Sequence, residues 1–364
     1  MEFKKGRVSL SPLGMEKKWA FPLFIISFFA AFLVTSLNMG LLSSVSTIDS
    51  FLSFLPSKFS GDRSAIVVES KLSPAPPAMA TNVPRLAYLI SGSKGNLNQL
   101  WRTLHALYHP HNLYVVHLDL ESSVAERREL VARVANHSLF AKVENVHVIK
   151  KANMVTYRGP TMMANTLHAC AILLKKKKHW DWFINLSASD YPLVTQDGSA
   201  WMALSRDFVE FCIYGWDNLP RTLLMYYTNF ISSSEGYFQT VICNIPEFNN
   251  TVANHDLHYI SWDNPPKQHP HILALPDLER MISSKAPFAR KFEMNDSVLH
   301  KIDEEFLGRK GEESIVPGGW CSGEPQCSDI GDEMRLEPGP GSQRLTQLMD
   351  RLVRSNNFKL NQCR

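Results

Sequence analysis

A chain of 364 residues with 45% apolar and 20% charged residues has material for a core of one large or two small domains, which excludes a wholly disordered protein. A formal net charge of +3 is too small to imply a nucleic-acid partner, and no basic stripe with interleaved aromatics accompanies it. Neither GxGxxG nor the P-loop pattern occurs, which argues against dinucleotide oxidoreductases and P-loop enzymes.

Residues 19–42 contain no charge, and Phe21, Leu23, Phe24, Ile25, Phe28, Phe32 and Leu37 make the segment apolar around its whole circumference. A helix of that length spans a bilayer. Lys4, Lys5, Arg7, Lys17 and Lys18 precede it, and Asp49 is the first charge after it. The positive-inside rule then keeps residues 1–18 cytosolic and sends the rest to the lumen. A cleaved signal peptide would export the same domain. Residues 43–84, rich in Ser, Pro and Ala, read as a flexible stem.

Residues 85–364 read as the lumenal domain. Arg85-Leu-Ala-Tyr-Leu-Ile-Ser91 predicts a strand, followed by a Gly92–Gly95 turn and a helix with Leu97, Leu100, Trp101, Leu104 and Leu107 on one face. Further strands are predicted at 113–119, 146–149 and 182–186, and helices at 124–134 and 160–174, the last opened by Pro160. Lys175 to Lys178 fit the solvated C-terminal end of that helix. Apolar strands alternating with helices imply a parallel α/β sheet. Ligands bind beyond the carboxyl ends of such strands, and those ends carry Ser91-Gly92-Ser93, His117-Leu-Asp119 and Ser187-Ala-Ser-Asp190.

All six cysteines lie on the exported side, where disulfides form, and the count allows 15 complete pairings. Cys321 and Cys327 lack accompanying metal-ligand spacing, so a local disulfide is expected there. Asn136, Asn249 and Asn295 head usable glycosylation sequons, whereas Asn185 falls in an apolar strand.

Five segments occur in one order: Leu113-Tyr-Val-Val-His-Leu-Asp119, Ile184-Asn-Leu-Ser-Ala-Ser-Asp-Tyr-Pro192, Gly198-Ser-Ala-Trp201, Ser232-Ser-Ser-Glu-Gly-Tyr-Phe238 and Phe288-Ala-Arg-Lys-Phe292. Together they resemble glycosyltransferase family 14, the core-2/I-branching type, and most closely its plant β-glucuronosyltransferase-like members. The resemblance implies a GT-A-like fold with a mostly parallel central sheet, a UDP-sugar donor and an inverting single displacement with no cofactor and no metal. Glu235 matches the family's general base; read alone it would be a charge at a helix start. Lys291 aligns with one diphosphate-binding cation and Lys267 falls near the other, lysine acting as a point charge. Asp119 is similar to the uridine or ribose contact, Ser91 and Gly92 lie where the nucleoside would rest, and His117 and Asp190 stand on the same donor rim. Where many GT-A enzymes carry a DxD motif, this strand end offers Asp190 alone. Tyr259 and Trp262 fall close to the acceptor-stacking positions, though both residue types also suit a core.

The chain departs from the family at one point. Members carry several dozen residues between the Ser-Asp-Tyr-Pro strand and Gly-Ser-Ala-Trp, whereas here Asp197 abuts Gly198. Gln196-Asp-Gly-Ser199 could turn a hairpin, but a deletion is expected, leaving a sheet edge or apolar surface uncovered and the fold less stable. The leading reading is a Golgi type II membrane enzyme, held by residues 19–42, that transfers glucuronic acid from UDP-glucuronate to galactan side chains of arabinogalactan-type glycoproteins. Two others stay open: transfer of N-acetylglucosamine or xylose, and a catalytically inactive membrane-anchored glycan-binding or assembly partner. No pair of carboxylates suits a glycoside hydrolase.

Overall fold

The computed structural model describes residues 83–195, 203–230 and 233–363. The expected anchor at 19–42, nearly all of the stem, the 197/198 junction and Ser232 lie outside the described residues. In chain order come β1 (Leu86–Gly92), α1 (Leu97–Leu107), β2 (Leu113–Leu118), α2 (Val124–Asn136), α3 (Ser138–Val143), β3 (Val146–Val148), α4 (Thr161–Leu174), β4 (Trp182–Ser187) and β5 (Tyr191–Pro192). Next are β6 (Leu204–Ser205), α5 (Arg206–Tyr214), α6 (Leu219–Tyr226), α7 (Ser233–Cys243), α8 (Pro246–Asn249) and β7 (His258–Ile260). The chain continues through α9 (Leu278–Ser284), β8 (Phe288–Arg290), α10 (Ser297–Ile302), β9 (Cys321–Ser322), β10 (Asp329–Ile330), α11 (Pro340–Val353) and α12 (Phe358–Asn361).

The main sheet has the order β3-β2-β1-β4-β6, with parallel pairing throughout except at β4–β6. Its alternation explains the burial. Ala87, Leu89, Leu113, Val115 and Phe183 pack with Met163, Cys170 and Leu173 of α4 on one face. Tyr88, Ile90, Val116 and Ile184 pack with Leu100 and Leu104 of α1 on the other. Strands buried on both faces read as continuous apolar runs, which is why β1 and β2 are plain in the sequence. Leu89 is fully buried, and Leu89→Ala would cost about 2–5 kcal/mol. This mixed α/β layering with a mostly parallel sheet fits the GT-A-like expectation.

A second sheet, β5-β8-β7, continues from the carboxyl end of β4. It carries its own core, in which Tyr191, Ala289, Met281, Val298 and Leu299 are buried. A charged network fastens it to α1. Asp303 meets Arg102 at 2.7 Å and Arg309 at 2.9 Å and accepts from the Tyr191 hydroxyl at 2.6 Å, all of them buried. Charges so deep are tolerated because each is paired.

Two disulfides are present, Cys321–Cys327 as expected and Cys243–Cys363, which bridges 120 residues and ties the end of α7 to the C-terminal segment. Cys170 and Cys212 remain thiols. At the amino ends of the strands, Leu86, Trp182, Leu204, Phe248, Leu345 and Met349 line a cavity of about 1030 Å³. On the β6 side of β4, only Trp182 and Phe183 are paired among the described residues.

Candidate functional site

The carboxyl ends of the strands form one polar rim. Strand register sets Ser91 between His117 and Ser187. Gly92 follows, and a Cβ there would stand 3.0 Å from Asn96 Cβ and 3.1 Å from Leu118 Cδ2, so any larger residue would press on both side chains. Asp119 Oδ1 accepts from the Ser93 hydroxyl at 3.1 Å and from the backbone N–H groups of Glu121 at 3.0 Å and Ser122 at 3.2 Å. One oxygen thus builds the turn into α2. That turn is closed by a capping box in which Ser123 accepts from Glu126 N and Glu126 accepts from Ser123 N.

His117 is fully buried, and its Nε2 accepts the Asn153 N–H at 3.1 Å. That bond places the proton of the neutral ring on Nδ1, which has no partner among the described residues. Burial pushes the imidazole down to about 4, against the opposing pull of Asp119. The ring is therefore a neutral donor at pH 7. Asn153 also donates to Asn165 Oδ1 at 2.7 Å, and Asn165 donates to Ser91 Oγ at 3.2 Å.

Asp190 is 1% exposed, and its carboxylate faces its own chain. It accepts from Ser187 N at 2.8 Å, with His258 Nε2 at 3.7 Å and Arg290 Nε at 3.5 Å. Burial favours the protonated acid, but His258 and Arg290 outweigh it and hold the carboxyl below its ordinary range. Burial also pushes His258 down, so the cation that balances Asp190 is Arg290. Arg290 precedes Lys291 at the end of β8. The antiparallel pairing of Tyr191 with Ala289 carries Lys291 alongside Ser189, and Phe292 N donates to Ser189 O at 3.1 Å. Lys291 is half-buried and has no ion-pair partner among the described residues.

Glu235 lies exposed in the first turn of α7 and accepts a hydrogen bond from the Tyr157 hydroxyl. Tyr157 belongs to the loop that leaves the carboxyl end of β3, the loop that also carries Asn153. Glu235 is thereby connected to the His117 side of the rim, and Lys291 to the Ser187 side. Lys267 stands further out, its side chain 75% exposed and paired with Asp263 at 2.9 Å. Tyr259 is half-buried on β7 opposite Ala289, and Trp262, just beyond that strand, is 53% exposed. Asn153, Asn165, Tyr157, His258 and Arg290 are the site neighbours that sequence reading misses. Arg290 alone carried a signal, its place beside Lys291 in the quoted motif.

No group of three or more His, Cys, Asp or Glu residues among the described residues could hold a metal ion. The rim carries a half-buried lysine, an arginine held by a buried carboxylate, and an exposed carboxylate, with the neutral His117 imidazole buried beside Ser91. These are the parts that binding an anionic donor and deprotonating a hydroxyl require.

The family model for core-2/I-branching enzymes matches residues 86–197 and 196–282. The β-glucuronosyltransferase GlcAT14A of Arabidopsis thaliana is 49% identical, over 97% of this chain and 94% of its own length. GlcAT14B of the same plant is 47% identical over 96% of each, and GlcAT14C 41% identical over 79% of this chain and 87% of its own length. The first alignment runs over 423 positions, more than the 364 residues present, so GlcAT14A carries residues that this chain lacks. The family match falls into two segments that meet at 196–197.

Proposed function

From the premise that the chain belongs to the core-2/I-branching enzyme family, and is a glycosyltransferase, we propose that it transfers glucuronic acid from UDP-glucuronate to galactan side chains of arabinogalactan-type glycoproteins, with inversion and without a metal. The observation that carries this reading is the identity to the three plant β-glucuronosyltransferases over most of the chain. The rim geometry supports the assignment of roles. Glu235 takes the proton as an acceptor hydroxyl attacks the anomeric carbon from the face opposite UDP; the new C–O bond forms while the bond to the diphosphate breaks and UDP leaves with the electron pair. Lys291, with Lys267 further out, neutralises the charge that develops on the diphosphate. His117, Asp119, Ser91 and Gly92 hold the nucleoside, Asp190 fixes Arg290 beside Lys291, and Tyr259 and Trp262 stack on the acceptor sugar. The enzyme works in the Golgi lumen, anchored by residues 19–42.

Incubating the lumenal chain with a panel of UDP-sugars and galactan acceptors tests this. The expected result is UDP release and product with UDP-glucuronate; turnover only with UDP-N-acetylglucosamine or UDP-xylose rejects the donor assignment. The break in the family match at 196–197 favours one second reading, a glycan-binding or assembly partner without turnover. It predicts acceptor binding with no UDP released from any donor.

A further inference from the structure

The loop between β3 and α4 touches both halves of the rim. At its start, Asn153 is a hub: its N–H donates to His117, its carbonyl accepts from Leu120 N at 3.1 Å, and its side chain meets Asn165 at 2.7 Å and His168 Nδ1 at 3.0 Å. Midway, Thr156 N donates to Thr161 Oγ1 at 2.8 Å and Thr156 Oγ1 donates to Arg158 O at 2.7 Å, folding residues 156–161 into a tight turn. Gly159, at φ +83°, completes it. The far end is fastened to the start of α7, since Gly159 N donates to Phe230 O at 3.1 Å and the Ser233 hydroxyl donates to Gly159 O. Tyr157 projects from this clamped turn.

We propose that Tyr157, held by the clamped turn at residues 156–161, is the positioning residue for the Glu235 carboxylate. The proposal rests on reading Glu235 as the base. An exposed glutamate has three rotatable side-chain bonds and samples many orientations, and a base must meet its hydroxyl within hydrogen-bond reach. The Tyr157 hydroxyl fixes Oε1 and leaves Oε2, for which no hydrogen bond is seen among the described residues, to take the proton. The turn is held independently of that hydroxyl, through Gly159, Phe230 and Ser233. Removing the hydroxyl therefore releases the carboxylate without releasing the loop.

Tyr157→Phe keeps the ring and tests this in the full chain. The expected result is a kcat lowered about 10- to 100-fold with donor KM unchanged, and no further loss when Tyr157→Phe is added to Glu235→Gln. A Tyr157→Phe enzyme with kcat within twofold of wild type, beside an inactive Glu235→Gln, overturns the positioning role and leaves the base assignment standing. Turnover by Glu235→Gln overturns both. Equal loss in kcat and donor affinity together with a lowered Tm marks a merely structural tyrosine and overturns the proposal. A turnover-independent measurement is the infrared carboxylate stretch of Glu235, isolated as the difference between wild type and Glu235→Gln. It is expected to shift in Tyr157→Phe, and an unshifted band overturns the proposal.

Discussion

Asp190 and His258 face each other at 3.7 Å with both side chains closed to water, and the partly exposed Arg290, at 3.5 Å, balances the carboxylate. The separation is longer than a hydrogen bond, and burial pushes the imidazole toward its neutral form, so the balancing charge comes from Arg290. Because the folded-state carboxyl is held below its ordinary range, its contribution to stability is complete at neutral pH and is lost only as pH falls through that lowered value. Asp190→Asn leaves Arg290 without a counter-charge next to Lys291. The expected cost is about 3 kcal/mol, at the low end for a broken buried pair because Arg290 is 35% exposed. UDP affinity should fall with it. Urea unfolding and UDP titration check both; lost stability with unchanged UDP affinity would confine Asp190 to folding.

Acid should destabilise the domain well above the range where carboxylates titrate. Burial pushes His117 and His109 down to about 4 and His105 down to about 3. The unfolded chain binds these protons near pH 6.5, before the folded chain does, so stability falls as pH drops from about 6.5 toward 4. For His117 alone the loss at pH 5 is on the order of 2 kcal/mol. Chemical unfolding at pH 7 and pH 5 measures it, and equal stabilities would show these rings to be freely hydrated.

Lys291 has no ion pair among the described residues, as suits a cation kept for a diphosphate. Lys291→Ala is expected to weaken UDP binding and to lower kcat, removing about 2–4 kcal/mol of transition-state stabilisation. Saturating EDTA should leave the wild-type rate nearly unchanged. Complete loss of transfer on chelation, restored by a divalent ion, would contradict the assignment of charge neutralisation to lysine.

If the residues that GlcAT14A carries and this chain lacks belong at the 197/198 junction, inserting them there should stabilise the fold. Ala203, Leu204 and Ser205, just after the junction, line the apolar cavity, and Gly341 at the start of α11 packs against Val194 just before it. A gain of about 3 kcal/mol corresponds to a rise of roughly 6 °C in Tm. Binding of a hydrophobic dye should drop in parallel as the cavity fills. An unchanged Tm and dye signal would mean that the segment packs elsewhere.

Much of the main sheet was legible because its strands are apolar on both faces and its helices keep a helical period. The strand expected at 85–91 is Leu86–Gly92, and the helix expected at 160–174 is Thr161–Leu174. The second sheet left no such trace. Its strands have two or three residues each, and β5 meets β8 nearly 100 positions away. Cys243–Cys363 could not be ranked among the pairings for the same reason, since only the fold brings the two together. The rim residues Ser91, His117 and Asp119 stood at predictable strand ends. Asn153 and Tyr157 lie in a loop whose contacts depend on where α4 and α7 pack, and no local pattern announces that.

In the proposed mechanism Glu235 takes the acceptor's proton. Glu235→Gln preserves the size of the side chain and its place at the start of α7 while removing the basic oxygen. Measured with UDP-glucuronate and a galactan acceptor, transfer is predicted to fall about 100- to 10,000-fold while the Kd for UDP, read by calorimetry, stays at the wild-type value. Transfer at a wild-type rate by Glu235→Gln would show that another group takes the proton.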